Sequence, residues 1–295
     1  RFALTTTLTN VNLPFQHLDL TDLTLLGVMN GPSVHHLSTV EHPEWTASLP
    51  TGLTAETLGR LKTLHGFVVP QGVLRELRSL ERVGLRLPTD NVTFGRRPAG
   101  GPPELPLVSS YAAELAKACG VSLVSIDLDV DRRDAADVVP AFTDGYASGL
   151  DSSSTRSPLR SFRIRDVAAP RRDADDTADS RTRPIPLHAF HPQRFPRLEE
   201  LFVEYSPWDT SGCCPADTEV GGGTLETLST KSHLKQVNVN PPSSREVLLA
   251  IGRLAGASLQ SLDIRTEYHD ASAIIMDAAS SLEAHYPALE YLTAP

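Results

Sequence analysis

The chain has 295 residues, 40% hydrophobic, 21% charged and 6% aromatic, the balance of an ordinary globular protein with an aliphatic core. Its formal net charge of −9 argues against nucleic acid as a partner, because phosphates attract basic surfaces. Cys119, Cys213 and Cys214 are an odd, irregularly spaced set that argues against a disulfide framework, and no apolar run approaches the roughly 20 residues of a membrane span. An intracellular place, in cytoplasm or nucleus and away from membranes, is therefore expected. The opening Arg1-Phe-Ala-Leu is no signal peptide and carries no initiator Met, which leaves room for a domain upstream.

One phrase recurs along the chain in the form apolar-x-x-apolar-x-apolar. Faint copies come first: Phe15-Gln-His-Leu18-Asp-Leu20, Val34-His-His-Leu37 and Leu61-Lys-Thr-Leu64. Leu80-Glu-Arg-Val83-Gly-Leu85 is clearer. The Gly- and Pro-rich stretch 91–106 then reads as an irregular connector. Val108, Tyr111, Leu115 and Ala118 fall at helical spacing and predict a helix over 107–119. The phrase returns as Leu123-Val-Ser-Ile126-Asp-Leu128, followed by a helix over Asp134–Phe142, and again as Leu159-Arg-Ser-Phe162-Arg-Ile164.

Residues 168–184 are mixed in charge with almost nothing apolar, so they are expected as an insertion between repeats. His188-Ala-Phe-His191 could bring two imidazoles together, but it lacks an obvious third ligand, and no metal site is expected. Leu198-Glu-Glu-Leu201-Phe-Val203 follows. A second insertion, 206–223, holds Cys213, Cys214 and Gly221-Gly-Gly223, which lacks the Lys-Ser/Thr of a phosphate loop. Next comes Leu234-Lys-Gln-Val237-Asn-Val239. Ser243-Ser-Arg-Glu246 has the form of a capping box, and Val247, Ile251 and Leu254 continue it as a helix over 243–255. Leu259-Gln-Ser-Leu262-Asp-Ile264, a helix over 271–286 ended by Pro287, and Leu289-Glu-Tyr-Leu292 complete the series.

Each phrase is short and ends in two apolar positions two residues apart, which point to one face of a strand. A single such strand cannot bury that face. Neighbours stacked at a period of roughly 25 to 40 residues can, and they share a continuous core. Strand, helix, strand in alternation predicts a parallel sheet with helices on one side.

The pattern resembles the leucine-rich repeat, whose strand segment reads L-x-x-L-x-L. The x-x-Asn that usually follows is largely missing: Asp129-Val130-Asp131 follows Leu128, and Glu204-Tyr205-Ser206 follows Val203. With its irregular period, the chain looks most like the repeat region of fungal F-box proteins. The resemblance implies an α/β leucine-rich-repeat solenoid, a ribonuclease-inhibitor-like arc with strands on the concave side and helices on the convex side. It would be one array over 1–295, less regular over 1–73 and clearer over 74–295. It further implies recognition of a protein partner, with substrate selection for an SCF-type ubiquitin ligase through an adaptor bound by an upstream domain. No F-box is found in this chain. The alternatives are a stand-alone scaffold or regulator, for example of a small GTPase, and more remotely a β-helix enzyme, against which the helical stripes argue.

The residues flanking the core positions of each strand would face the concave surface. They are Arg82, Gly84 and Arg86; Ser125, Asp127 and Asp129; Ser161, Arg163 and Arg165; Glu200, Phe202 and Glu204; Gln236, Asn238 and Asn240; Ser261, Asp263 and Arg265. Charge alternates by row, which predicts a cross-strand ladder of opposite charges. Phe202 among those charges is the expected apolar anchor for a partner. No nucleophile motif or cofactor loop accompanies this surface, so catalysis and cofactors are not expected.

Overall fold

The computed structural model describes residues 9–13, 27–39, 47–50, 52–87, 108–130, 132–151, 157–166, 185–191, 194–203, 208–209, 232–239, 245–264 and 285–293. Among them, eleven strands join in one open sheet. In chain order ten are β1 (Asn10–Leu13), β2 (His36–Thr39), β4 (Thr63–Val68), β5 (Arg82–Arg86), β6 (Ser125–Val130), β7 (Ser161–Asp166), β9 (Glu200–Val203), β11 (Gln236–Val239), β12 (Ser261–Ile264) and β13 (Tyr291–Thr293). The eleventh, β3 (Ala47–Ser48), pairs with the end of β4. All pairings are parallel, and each strand along the main path lies beside its predecessor and successor. A parallel sheet in sequence order, with ends that do not meet, is the topology of a solenoid.

The register repeats at every step. Val11, Leu37, Leu64, Val83, Ile126, Phe162, Leu201, Val237, Leu262 and Leu292 form one column across the sheet. From Val11 to Leu262 these side chains are at most 7% exposed. A backbone motif repeats with them: the carbonyl just ahead of each strand accepts two consecutive N–H groups from the next. Glu81 O takes Val124 N and Ser125 N, Val124 O takes Arg160 N and Ser161 N, and Arg160 O takes Glu199 N and Glu200 N.

Four helices of six or more residues are described: α1 (Ala55–Arg60), α2 (Val108–Cys119), α3 (Arg132–Asp151) and α4 (Arg245–Ala255). Two 3-10 turns, Gln71–Glu76 and Leu187–Phe190, fill the helix position elsewhere. Their apolar side chains share one core cluster with the strand columns, so the helices cover one face of the sheet. Thr54 caps α1 through its hydroxyl, 3.1 Å from Thr57 N.

Several expectations are corrected, and others fall outside the described residues. The first strand is Asn10–Leu13, and its phrase is Leu8-Thr-Asn-Val11-Asn-Leu13, upstream of Phe15–Leu20, which lies outside the described residues. The stripe of α2 is Tyr111, Ala112, Leu115, Ala116 and Cys119, whereas Ala118 is only partly buried. The helix expected over Asp134–Phe142 runs instead from Arg132 to Asp151, straight through Pro140. Pro140 removes one backbone donor, but Phe142, Tyr146 and Leu150 beyond it are buried and hold the helix together. The helix of 243–255 is seen from Arg245, and Ser243, Ser244 and most of 271–286 lie outside the described residues. Trp208–Asp209, inside the expected second insertion, forms strand β10 and pairs with β8 (Ile185–Pro186) as a separate two-stranded sheet. Cys213, Cys214 and the insertion 168–184 lie outside the described residues.

Candidate functional site

The face turned away from the helices is set by the residues between and beside the core columns. Parallel pairing in one register aligns them into rows. The middle row reads Asn12, Ser38, His65, Gly84, Asp127, Arg163, Phe202, Asn238, Asp263 and Thr293. The preceding row reads Asn10, His36, Thr63, Arg82, Ser125, Ser161, Glu200, Gln236, Ser261 and Tyr291. Arg86, Asp129 and Arg165 align one step beyond. The sheet thus brings ten of the twelve candidate residues into these three rows; Glu204 and Arg265 lie outside the described residues, as does Asn240.

The charges in these rows pair across strands. Arg165 Nε donates to Asp127 Oδ1 at 3.0 Å and lies 3.2 Å from Asp129 Oδ1, so one guanidinium serves two carboxylates of the neighbouring strand. Both aspartates are about three-quarters buried as side chains, which makes this the least solvated part of the ladder. On the other side of β7, an Arg163 terminal amine donates to Glu200 Oε2 at 3.2 Å, and the Ser161 hydroxyl donates to the same oxygen at 2.9 Å. Asn238 Nδ2 donates to Asp263 Oδ2 at 2.8 Å. The strand starts add an outer ladder, in which Glu199 takes Arg160 on one side and Lys235 on the other, and Lys62 takes Glu81. The half-exposed Arg163–Glu200 pair is worth little in stability. The Arg165 cluster is more enclosed and holds its geometry better.

The candidate residues therefore differ in what they offer. Arg82 is exposed and makes no ion pair among the described residues. Phe202 is partly exposed between Arg163 and Asn238 in its row. Gln236 is exposed beside Glu200. Asn238 was expected at the surface but is 4% exposed, with its Oδ1 lacking a hydrogen-bond partner among the described residues. Its correction has a simple origin: period 2 assigns a residue to a face and says nothing of what covers that face.

Sequence reasoning missed the N-terminal continuation of the rows: Asn10, Asn12, His36, Ser38 and His65. His36 Nδ1 lies 3.0 Å from the Thr63 hydroxyl. The His65 ring occupies the space beside Gly84, where an added Cβ would come within 2.0 Å of the ring. The signal was present but displaced. Gly66, at φ 79°, bulges β4 so that Phe67 rather than residue 66 pairs with Leu85, and the phrase at Leu61 therefore breaks after its second apolar position.

Among the described residues no helix is long and apolar enough to cross a membrane, and no group of three or more metal-ligating side chains occurs. His188 lies within the 3-10 turn Leu187–Phe190 and His191 follows it, with His191 N donating to His188 O at 3.2 Å.

No protein-family model matches the chain, and no curated protein matches it. Among solved structures it is similar to an LRR protein of Leptospira interrogans, at 11% identity and a TM-score of 0.27, covering 98% of this chain and 73% of that one. Likeness at that level carries no argument about fold or role.

Proposed function

We propose that the chain is a leucine-rich-repeat array that recognises a protein partner on the polar face of its parallel sheet and performs no catalysis. The observation that supports this most is the continuous, register-matched polar surface over ten strands, in which buried charges are paired and Arg82, Phe202 and Gln236 remain accessible. A rigid scaffold with an exposed aromatic among arginine and amide groups has the composition of an interface centre. The recurring phrase itself supports the repeat class. An intracellular place belongs to the same reading, supported by the odd, irregularly spaced set Cys119, Cys213 and Cys214.

The more specific role follows from the sequence resemblance to fungal F-box proteins: selecting substrates for an SCF-type ubiquitin ligase. Capture of the gene product from its own cells, beside Phe202→Ala and Arg163→Ala variants, tests both levels. A partner recovered by the wild type and lost by the variants, at unchanged melting temperature, supports recognition by this face. Recovery of a cullin adaptor as well supports the ligase role, whereas a partner without an adaptor favours the stand-alone scaffold. A partner set indifferent to both substitutions overturns the assignment of the face.

A further inference from the structure

The helical side carries a second feature, independent of the polar face. A cleft of about 770 Å³ opens between the 3-10 turn at Gln71–Glu76, α2 and α3. Its charged lining is Arg75, Arg78, Glu114, Lys117 and Asp144. Both carboxylates are already occupied. Glu114 accepts from Gln71 Nε2 and from Arg75 Nε, each at 3.0 Å, and the Gln71 bond first and Arg75 second hold its carboxyl below the usual range. Asp144 is taken by Arg194, 2.8 Å away and outside the lining.

Arg78 and Lys117 remain. Both are exposed, and neither makes an ion pair among the described residues. Arg78 Nε donates to Arg75 O at 3.0 Å, which orients the guanidinium while its terminal amines make no hydrogen bond among the described residues. An uncompensated basic cleft on a chain of net charge −9 is the reverse of what its composition would place there.

The lining also defines the anion. The two cations stand on separate elements, Arg78 just past the 3-10 turn and Lys117 on α2, and each can take a carboxylate of its own. No glycine-rich loop or aromatic platform lines the cleft to cradle a nucleotide. Its floor is small, because α3 approaches α2 so closely at Gly145 that an added Cβ would lie 2.4 Å from Ala113 O. We infer that this cleft docks an acidic, Asp/Glu-rich peptide segment of a partner protein, with Arg78 and Lys117 each taking one carboxylate.

The test is fluorescence anisotropy of a labelled hexaglutamate peptide titrated with the whole chain at low salt. Binding is expected, weakening as salt rises. Arg78→Gln combined with Lys117→Gln is expected to weaken it roughly tenfold, as two partly exposed charge pairs allow. Lys62→Gln combined with Lys235→Gln removes the same charge from the strand-start ladder and should leave binding unchanged. Both double variants should melt like the wild type, since all four side chains are exposed. Absence of binding by the folded wild type, or equal weakening by both double variants, overturns the proposal. Either result leaves recognition by the polar face untouched.

Discussion

At the scale of single residues, conformation and protonation each give a prediction. Gly66 bulges β4 at φ 79°, and a Cβ there would lie 2.7 Å from Thr39 Cγ2 and 2.8 Å from Thr39 O. Gly66→Ala is therefore expected to cost about 2 kcal/mol or more, from left-handed backbone strain and crowding together. Denaturant unfolding measures it, and a change below a few tenths would mean that Thr39 of β2 can give way to a side chain at the bulge. His191 behaves differently. Burial, and second the neighbouring Arg194, hold its imidazole below the ordinary 6.5. The unfolded chain binds that proton more readily than the folded one, so stability rises with pH through the window between the folded value and 6.5 and is complete above it. His191→Gln should flatten the wild-type slope of melting temperature in that window. An unchanged slope would assign the pH dependence to other groups.

At the scale of elements, the contact between α2 and α3 rests on small residues. Besides the approach at Gly145, a Cβ on Gly149 would come 2.9 Å from Lys117 O. Gly145→Val would push against backbone rather than a movable side chain, with an expected loss of about 1 to 3 kcal/mol. A thermal melt would register it, and a wild-type melting temperature would mean that the helices have room to separate. What the sequence revealed of the elements follows the same physics. The strands with intact phrases, from Leu80 to Leu262, were legible with their faces and register, because two apolar positions two apart can only share a face. The phrase at Leu61 was dimmed by the Gly66 bulge, and that at Val34 by Thr39, a polar residue that is 4% exposed in a core column. The length of α3 was hidden by Pro140, a local helix breaker overridden by burial of Phe142 and Tyr146. The pairing of β8 with β10 spans two residues each, too short for any periodicity.

Ser122 and Ser258 add a detail that bears on the missing asparagines. The Ser122 hydroxyl donates to Leu80 O at 2.8 Å, and the Ser258 hydroxyl to Leu234 O at 2.9 Å. Each serine precedes the first leucine of its phrase and ties its turn to the phrase before. At these two steps a cross-repeat side-chain bond is made ahead of the strand, where the usual leucine-rich pattern makes one after it. The Ser-Leu pairs were visible in the sequence; their partners, some 24 and 42 residues away, were not.

At the scale of the whole molecule, the two faces of one sheet differ: apolar columns on one, polar rows on the other. The apolar columns hold the strands together, and on the proposed reading the rows between them are offered to a partner. Neighbouring repeats supply each other's core, so a failure in one central strand should spread through the array. The face carries its charges in cross-strand pairs, so single changes there should leave stability within about 1 kcal/mol.

Adjacent residues of β9 separate the two faces most sharply: Leu201 is 1% exposed, and Phe202 beside it is partly exposed on the polar face. The decisive measurement compares Leu201→Asp with Phe202→Asp by thermal melting and by capture of the wild-type partner. Leu201→Asp buries an unpaired charge and should unfold the array cooperatively. Phe202→Asp should melt close to the wild type and lose the partner. Equal melting of the two variants, or retention of the partner by a folded Phe202→Asp chain, would contradict the division of the sheet into a core face and a recognition face.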